Sequence, residues 1–209
     1  GETMRMAHEN GVGIGAHPGF MDLAGFGRNR LSVPRGTLQN QIRYQVAASV
    51  GMARSVGTQV RHLKLHGALA NMASEDEALA RDLYEAALSV APDLIVVVLA
   101  ATAQEQAVKS LGCKWAGEIF ADRAYNDDAT LVDRSKPGAV IHDADTAAAR
   151  MVDMVKAGAI ITESGKHIPT RIDTICLHGD TAEAVQIATA VRKGLQDGGV
   201  TLAKFGGSV

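Results

Sequence analysis

Short apolar runs that read as strands alternate with longer amphipathic runs that read as helices from one end of the chain to the other. Such alternation predicts strand-helix units around a parallel sheet, because separate α and β blocks would group like elements together. The predicted strands are residues 12–16, 62–65, 94–99, 113–120 and 172–177, with 200–203 as a further candidate. The run 94–99 is the clearest, being short, β-branched and preceded by Pro92-Asp93. The predicted helices are residues 2–9, 34–56, 103–111 and 146–156, with two more. One starts at a Ser74-x-x-Glu77 capping box and runs to Val90; the last is capped by Asp180 or Thr181 and runs to Gln196. The class is α/β.

The polar residues fall on this map in a pattern. His17 follows the first strand, Lys64 and His66 end the second, Asp122 and Arg123 follow the fourth, and His178 and Asp180 follow the last. In parallel α/β barrels the C-terminal strand ends share one face, where loops build the site. Each residue also has a plainer reading. His17 beside glycine suits a turn, Asp180 suits a helix cap, and Asp122-Arg123 suits a surface ion pair. Recurrence at equivalent places favours a shared site, and a lysine inside an apolar strand needs a carboxylate, a cavity or the surface.

Composition narrows the partners. With 209 residues, 46% of them hydrophobic, the chain buries a substantial core as a single domain over residues 1–209. A net charge of −2 with scattered lysines and arginines leaves no footprint for nucleic acid or an anionic membrane. Cys113 and Cys176 lack metal or redox spacing, and the longest apolar run is too short to span a bilayer. The expected location is the cytoplasm. Because the chain opens on Gly1 and enters a helix at once, a preceding segment is expected, either removed or disordered.

Three motifs fail. The glycines at 11, 13 and 15 lack dinucleotide-fingerprint spacing, and the sequence contains neither a Walker A motif nor a G-x-S-x-G elbow.

Other motifs carry a resemblance. Gly15-Ala16-His17-Pro18-Gly19, Gly25-Phe26-Gly27-Arg28 and Lys64-Leu65-His66-Gly67-Ala68-Leu69 with Asn71 come first. Glu118 to Tyr125, Leu131 with Arg134, Pro137 to Ile141 and Cys176 to Thr181 follow in order. Together they resemble the LamB/YcsF family over nearly the whole chain. The sequence departs from the family at Leu65, usually Pro, and at Ala70, usually Tyr, and it lacks the family's opening strands. The resemblance implies an incomplete TIM-like (β/α) barrel of the glycoside hydrolase/deacetylase type, with N-terminal strands missing. It also implies an ATP-dependent 5-oxoprolinase activity that opens 5-oxo-L-proline to L-glutamate. ATP, with Mg, would be a co-substrate, and the other 5-oxoprolinase subunits would be partners.

For that reaction the expected catalytic residues are His66 or His178 as general base, oriented by Asp180 or Asp122. The substrate or its phosphate is expected on His17, Lys64, Asn71, Arg123 and Arg134. No tightly bound metal is expected. Two other readings stay open. One is a metal-dependent deacetylase-like hydrolase using His17, His66, His178 and the aspartates as ligands. The other is a non-catalytic lactam-binding subunit of a multi-subunit enzyme.

Overall fold

In the computed structural model, which describes residues 1–204, strands alternate with helices except where helices 67–75 and 77–88 and strands 159–161, 167–169 and 174–176 follow one another. In chain order come α1 (Glu2–Glu9), β1 (Ile14–Ala16), α2 (Arg35–Ser55), β2 (Val60–Lys64), α3 (Gly67–Glu75) and α4 (Glu77–Leu88). Then follow β3 (Ile95–Leu99), α5 (Ala103–Leu111), β4 (Trp115–Phe120) and α6 (Ala144–Ala157). The last elements are β5 (Ala159–Ile161), β6 (His167–Pro169), β7 (Thr174–Cys176) and α7 (Ala184–Asp197).

Strands β1, β2, β3, β4 and β7 form a five-stranded sheet in that order. The pairs β1–β2, β2–β3 and β4–β7 are parallel. Strand order equal to chain order is the singly wound arrangement of a (β/α) barrel; a doubly wound sheet would reverse direction at a switch point. The fold class is therefore the α/β class expected from the sequence.

The described residues group into two compact units. The first takes residues 1–98 and 103–116, the second 99–102 and the described residues from 117 onward. In the first, Leu63, Val96 and Val98 pack with Ile42 and Val46 of α2, Leu83 and Tyr84 of α4 and Val108 of α5. Full burial of such a side chain contributes roughly 1.5–3 kcal/mol. Tyr84 is fully buried, and its hydroxyl donates to Gln104 Oε1 at 2.9 Å while Gln104 Nε2 donates to the Ala70 carbonyl at 2.6 Å. In the second unit, Ile119 and Phe120 pack with Met151 and Met154 of α6 and Ile187, Val191 and Leu195 of α7. Gly158 ends α6 in the left-handed region, at φ 58°.

Several expectations need correction. Residues 67–75 form a separate helix, α3, with no counterpart among the predicted helices. Ser74 lies inside it and donates to the Asn71 carbonyl, so the cap of α4 is Asp76, which accepts from the Leu79 N–H at 2.9 Å. Strands β5 and β6, which pair as an antiparallel hairpin, have no counterpart among the predicted strands. Residues 200–203 are not a strand: the Val200 N–H donates to the Leu195 carbonyl as α7 ends. Neither Asp180 nor Thr181 caps α7, whose N-cap is Glu183 with no side-chain hydrogen bond.

Candidate active site

In the first unit, His17 and His66 meet where β1 and β2 end, with His17 against the Lys64 backbone. Leu63 points into the helix-side core, so period-two alternation turns His62 and Lys64 to the other face of β2. His17, just past β1, has Nδ1 2.7 Å from the Lys64 carbonyl oxygen. A carbonyl only accepts, so Nδ1 carries the proton and Nε2 is the basic nitrogen of neutral His17. The His17 and His66 rings stand edge to face with centroids 4.8 Å apart. Phe26 lies edge-on to His66 at 5.3 Å, and the Arg28 guanidinium stands 5.4 Å from the Phe26 ring centre.

This arrangement depends on how the 17–28 loop seats against the start of α3. The His66 N–H donates to the Pro18 carbonyl at 2.9 Å and the Ala68 N–H to the Gly27 carbonyl at 3.0 Å. Gly67 sits at φ 57°, and a Cβ there would stand 2.5 Å from the Gly27 carbonyl oxygen. Gly27, at φ 66°, leaves room for the imidazole, since a Cβ would stand 2.9 Å from His66 Nδ1. Asn71, one turn along α3, is exposed.

In the second unit, β4 and β7 pair with Phe120 opposite Cys176. Two residues further along each chain, Asp122 and His178 therefore emerge side by side. His178 Nδ1 is 2.6 Å from Asp122 Oδ2, and the imidazole lies 5.8 Å from the Phe120 ring centre. Asp122 is 7% exposed, and its Oδ1 is buried with no hydrogen-bond partner among the described residues. Beside His178 an open cavity of about 430 Å³ is lined by Leu177, Gly179, Ala184, Val185, Ala188 and Arg192.

Arg123 is turned inward. At 3% exposure, it donates from Nε to the Ala139 carbonyl at 3.2 Å and from a terminal nitrogen to the Val132 carbonyl at 2.5 Å. It thereby fastens the 124–141 loop to the end of β4. Desolvation, with the charge of Arg134 next, pulls its pKa down to about 10. Arg134 and Asp180 are both exposed.

Two contributors were not singled out from the sequence. The Tyr125 phenolic oxygen accepts from the Phe120 N–H at 2.8 Å, and burial drives its pKa far up. Arg150 of α6 reaches the carbonyls of Ala121 and Arg123. Tyr125 lies in a motif visible in the sequence, but an arginine on an amphipathic helix carries no local signal that separates it from a solvated one.

Among the described residues no group of three or more His, Cys, Asp or Glu side chains could hold a metal ion. The sequence also has no Walker A motif. Among the described residues no helix is long and apolar enough to cross a membrane.

The model of the LamB/YcsF family matches residues 1–208. A protein of Ruegeria pomeroyi named as a 5-oxoprolinase subunit is 67% identical over 204 residues, spanning 98% of this chain and 81% of that protein. A protein of the same name from Nitrobacter hamburgensis is 47% identical, spanning 98% and 80%. Among solved structures, the lactam utilization protein of Thermus thermophilus superposes with a TM-score of 0.87 at 36% identity, covering 98% of this chain and 81% of that one.

Proposed function

The chain belongs to the LamB/YcsF family, and we propose that it works, as its relatives' name says of them, within a 5-oxoprolinase, one that is ATP-dependent and built from several subunits. It is an amide hydrolase: the ring C–N bond of 5-oxo-L-proline breaks, water adds hydroxyl to the carbonyl carbon and a proton to nitrogen, and L-glutamate forms. A five-membered lactam is a stable amide, so ATP supplies the driving force: its γ-phosphoryl group passes to the amide oxygen as ADP leaves, the first water opens the ring at the activated carbon, and a second releases inorganic phosphate. Relatives that are named as one subunit imply others, and ATP dependence points to the cytoplasm.

In this reading His178 is the general base. With Asp122 ionised, its carboxylate accepts the Nδ1 proton, which leaves Nε2 as the lone pair for a water proton. Asp122 then balances the imidazolium that forms, and its burial keeps that attraction unscreened. The 430 Å³ cavity beside His178 has room for a five-membered lactam. In the first unit His17, Lys64 and His66 form a second polar group, where the lysine suits an anion and Asn71 is exposed; Arg134 is exposed in the second unit. Arg123, engaged with two carbonyls, holds the loop that flanks Asp122.

The observation that supports this reading best is the 2.6 Å His178–Asp122 bond in a chain 67% identical to a protein named as a 5-oxoprolinase subunit. Replacing His178 by Ala in the full-length protein assembled with its partner subunits should lower ATP-coupled 5-oxoproline hydrolysis by roughly a hundredfold or more. Folded protein with near-normal turnover would remove His178 from the mechanism.

A further inference from the structure

We infer that Arg150 is a positioning residue for the Asp122–His178 pair, holding the carboxylate on the imidazole through the peptide groups on either side of it. The inference rests on the reading of that pair as the base and its orienting acid. Arg150 lies on α6, half-buried, and donates from one terminal nitrogen to the Ala121 carbonyl at 3.2 Å and from the other to the Arg123 carbonyl at 3.1 Å. These carbonyls belong to the residues immediately before and after Asp122. The planar guanidinium thus fixes both flanks of one residue with a single rigid group, which an ammonium, a point donor, does not reproduce.

The remaining contacts make the arrangement over-determined. The Ala121 N–H donates to the Cys176 carbonyl at 3.1 Å, and the Asp122 carbonyl accepts from the Ile141 N–H at 2.9 Å. Burial lowers the pKa of Arg150, while Tyr125, Asp122 and Glu163 oppose that shift. A carboxylate with one oxygen sheltered and unpartnered would drift from the histidine if its backbone were free to turn. With both flanking peptides held, its direction is set before substrate arrives.

The test is a double-mutant cycle in the full-length protein with its partner subunits. Arg150→Met and Arg150→Lys are measured alone and combined with Asp122→Asn, with circular dichroism and thermal unfolding as checks on the fold. We expect Arg150→Met to lower kcat about tenfold with KM within about twofold, and Arg150→Lys to recover only part of the loss, an effect of one misaligned base. Free guanidinium should restore turnover to Arg150→Met, and the cost of losing Arg150 should fall below about twofold once Asp122 is Asn. The downfield proton resonance of the His178–Asp122 bond should broaden in Arg150→Met. If Arg150→Met does not fold, Arg150→Lys carries the cycle. An undiminished cost in the Asp122→Asn background, a loss confined to KM, or an unchanged bridging proton overturns the positioning role. Full turnover by Asp122→Asn itself would instead overturn the underlying base assignment.

Discussion

Asp122 presents one oxygen to His178 and buries the other without a hydrogen-bond partner among the described residues. An unsatisfied buried acceptor costs about 1–3 kcal/mol, and such groups persist where the chemistry needs them. A protein selected only for stability would have little reason to keep a carboxylate there. Asp122→Asn should therefore stay within about 1 kcal/mol of the native protein in urea unfolding, on the usual scale of one net hydrogen bond, while losing most of its turnover. A large destabilisation accompanied by normal turnover would show the carboxylate to be a structural brace. At this scale the sequence was informative about residue type and silent about partner. Both His178 and Asp122 stand out as polar groups beyond apolar strands, but which aspartate meets the histidine depends on the β4–β7 register. Arg123 looked like an anion binder for the same reason, and only the path of the 124–141 loop turns it inward.

Between neighbouring strands, β1 and β2 show how an element constrains a side chain's charge. Gly15 stands opposite His62, and a Cβ at Gly15 would lie 2.2 Å from His62 Nε2, so the imidazole fills the space that glycine leaves. Desolvation first, and Lys64 second, lower the His62 pKa from its ordinary 6.5. In the folded state the imidazole resists a proton that the unfolded chain accepts, so between the lowered folded value and 6.5 the unfolded state binds more protons. This contribution to stability is present above pH 6.5 and is lost as pH falls through the folded value. Urea titrations should show wild type losing more stability than His62→Gln between about pH 7.5 and 5.5; equal losses would exclude His62 as the source. Legibility at this scale followed local chemistry. Residues 94–99 were plain because β-branched apolar runs have one good home. Helix α3 was hidden because Gly67 at its start and polar residues near its end read as loop, and Ser74 offered a cap signature that Asp76, one turn away from Leu79, fulfilled instead. The run 200–203 looked like a strand by side-chain type, yet the Val200 amide is already committed to the end of α7.

Across the whole molecule, the α/β class and the sequential parallel order were legible because alternation with short connections leaves few topologies, whereas the division into two units was not. That division depends on which helices share a core: α2, α4 and α5 in the first unit, α6 and α7 in the second. The order of the sheet has a further consequence for how the protein is made. Because each strand from β2 to β4 lies beside the one before it, a ribosome delivers each of these strands to a partner already synthesised, and the first unit's described residues all lie within 1–116. Nascent chains arrested with residues 1–116 outside the exit tunnel should resist protease, and chains arrested before β3 emerges should not. Equal digestion of both would mean that the amino-terminal half waits for the rest of the polypeptide before it settles.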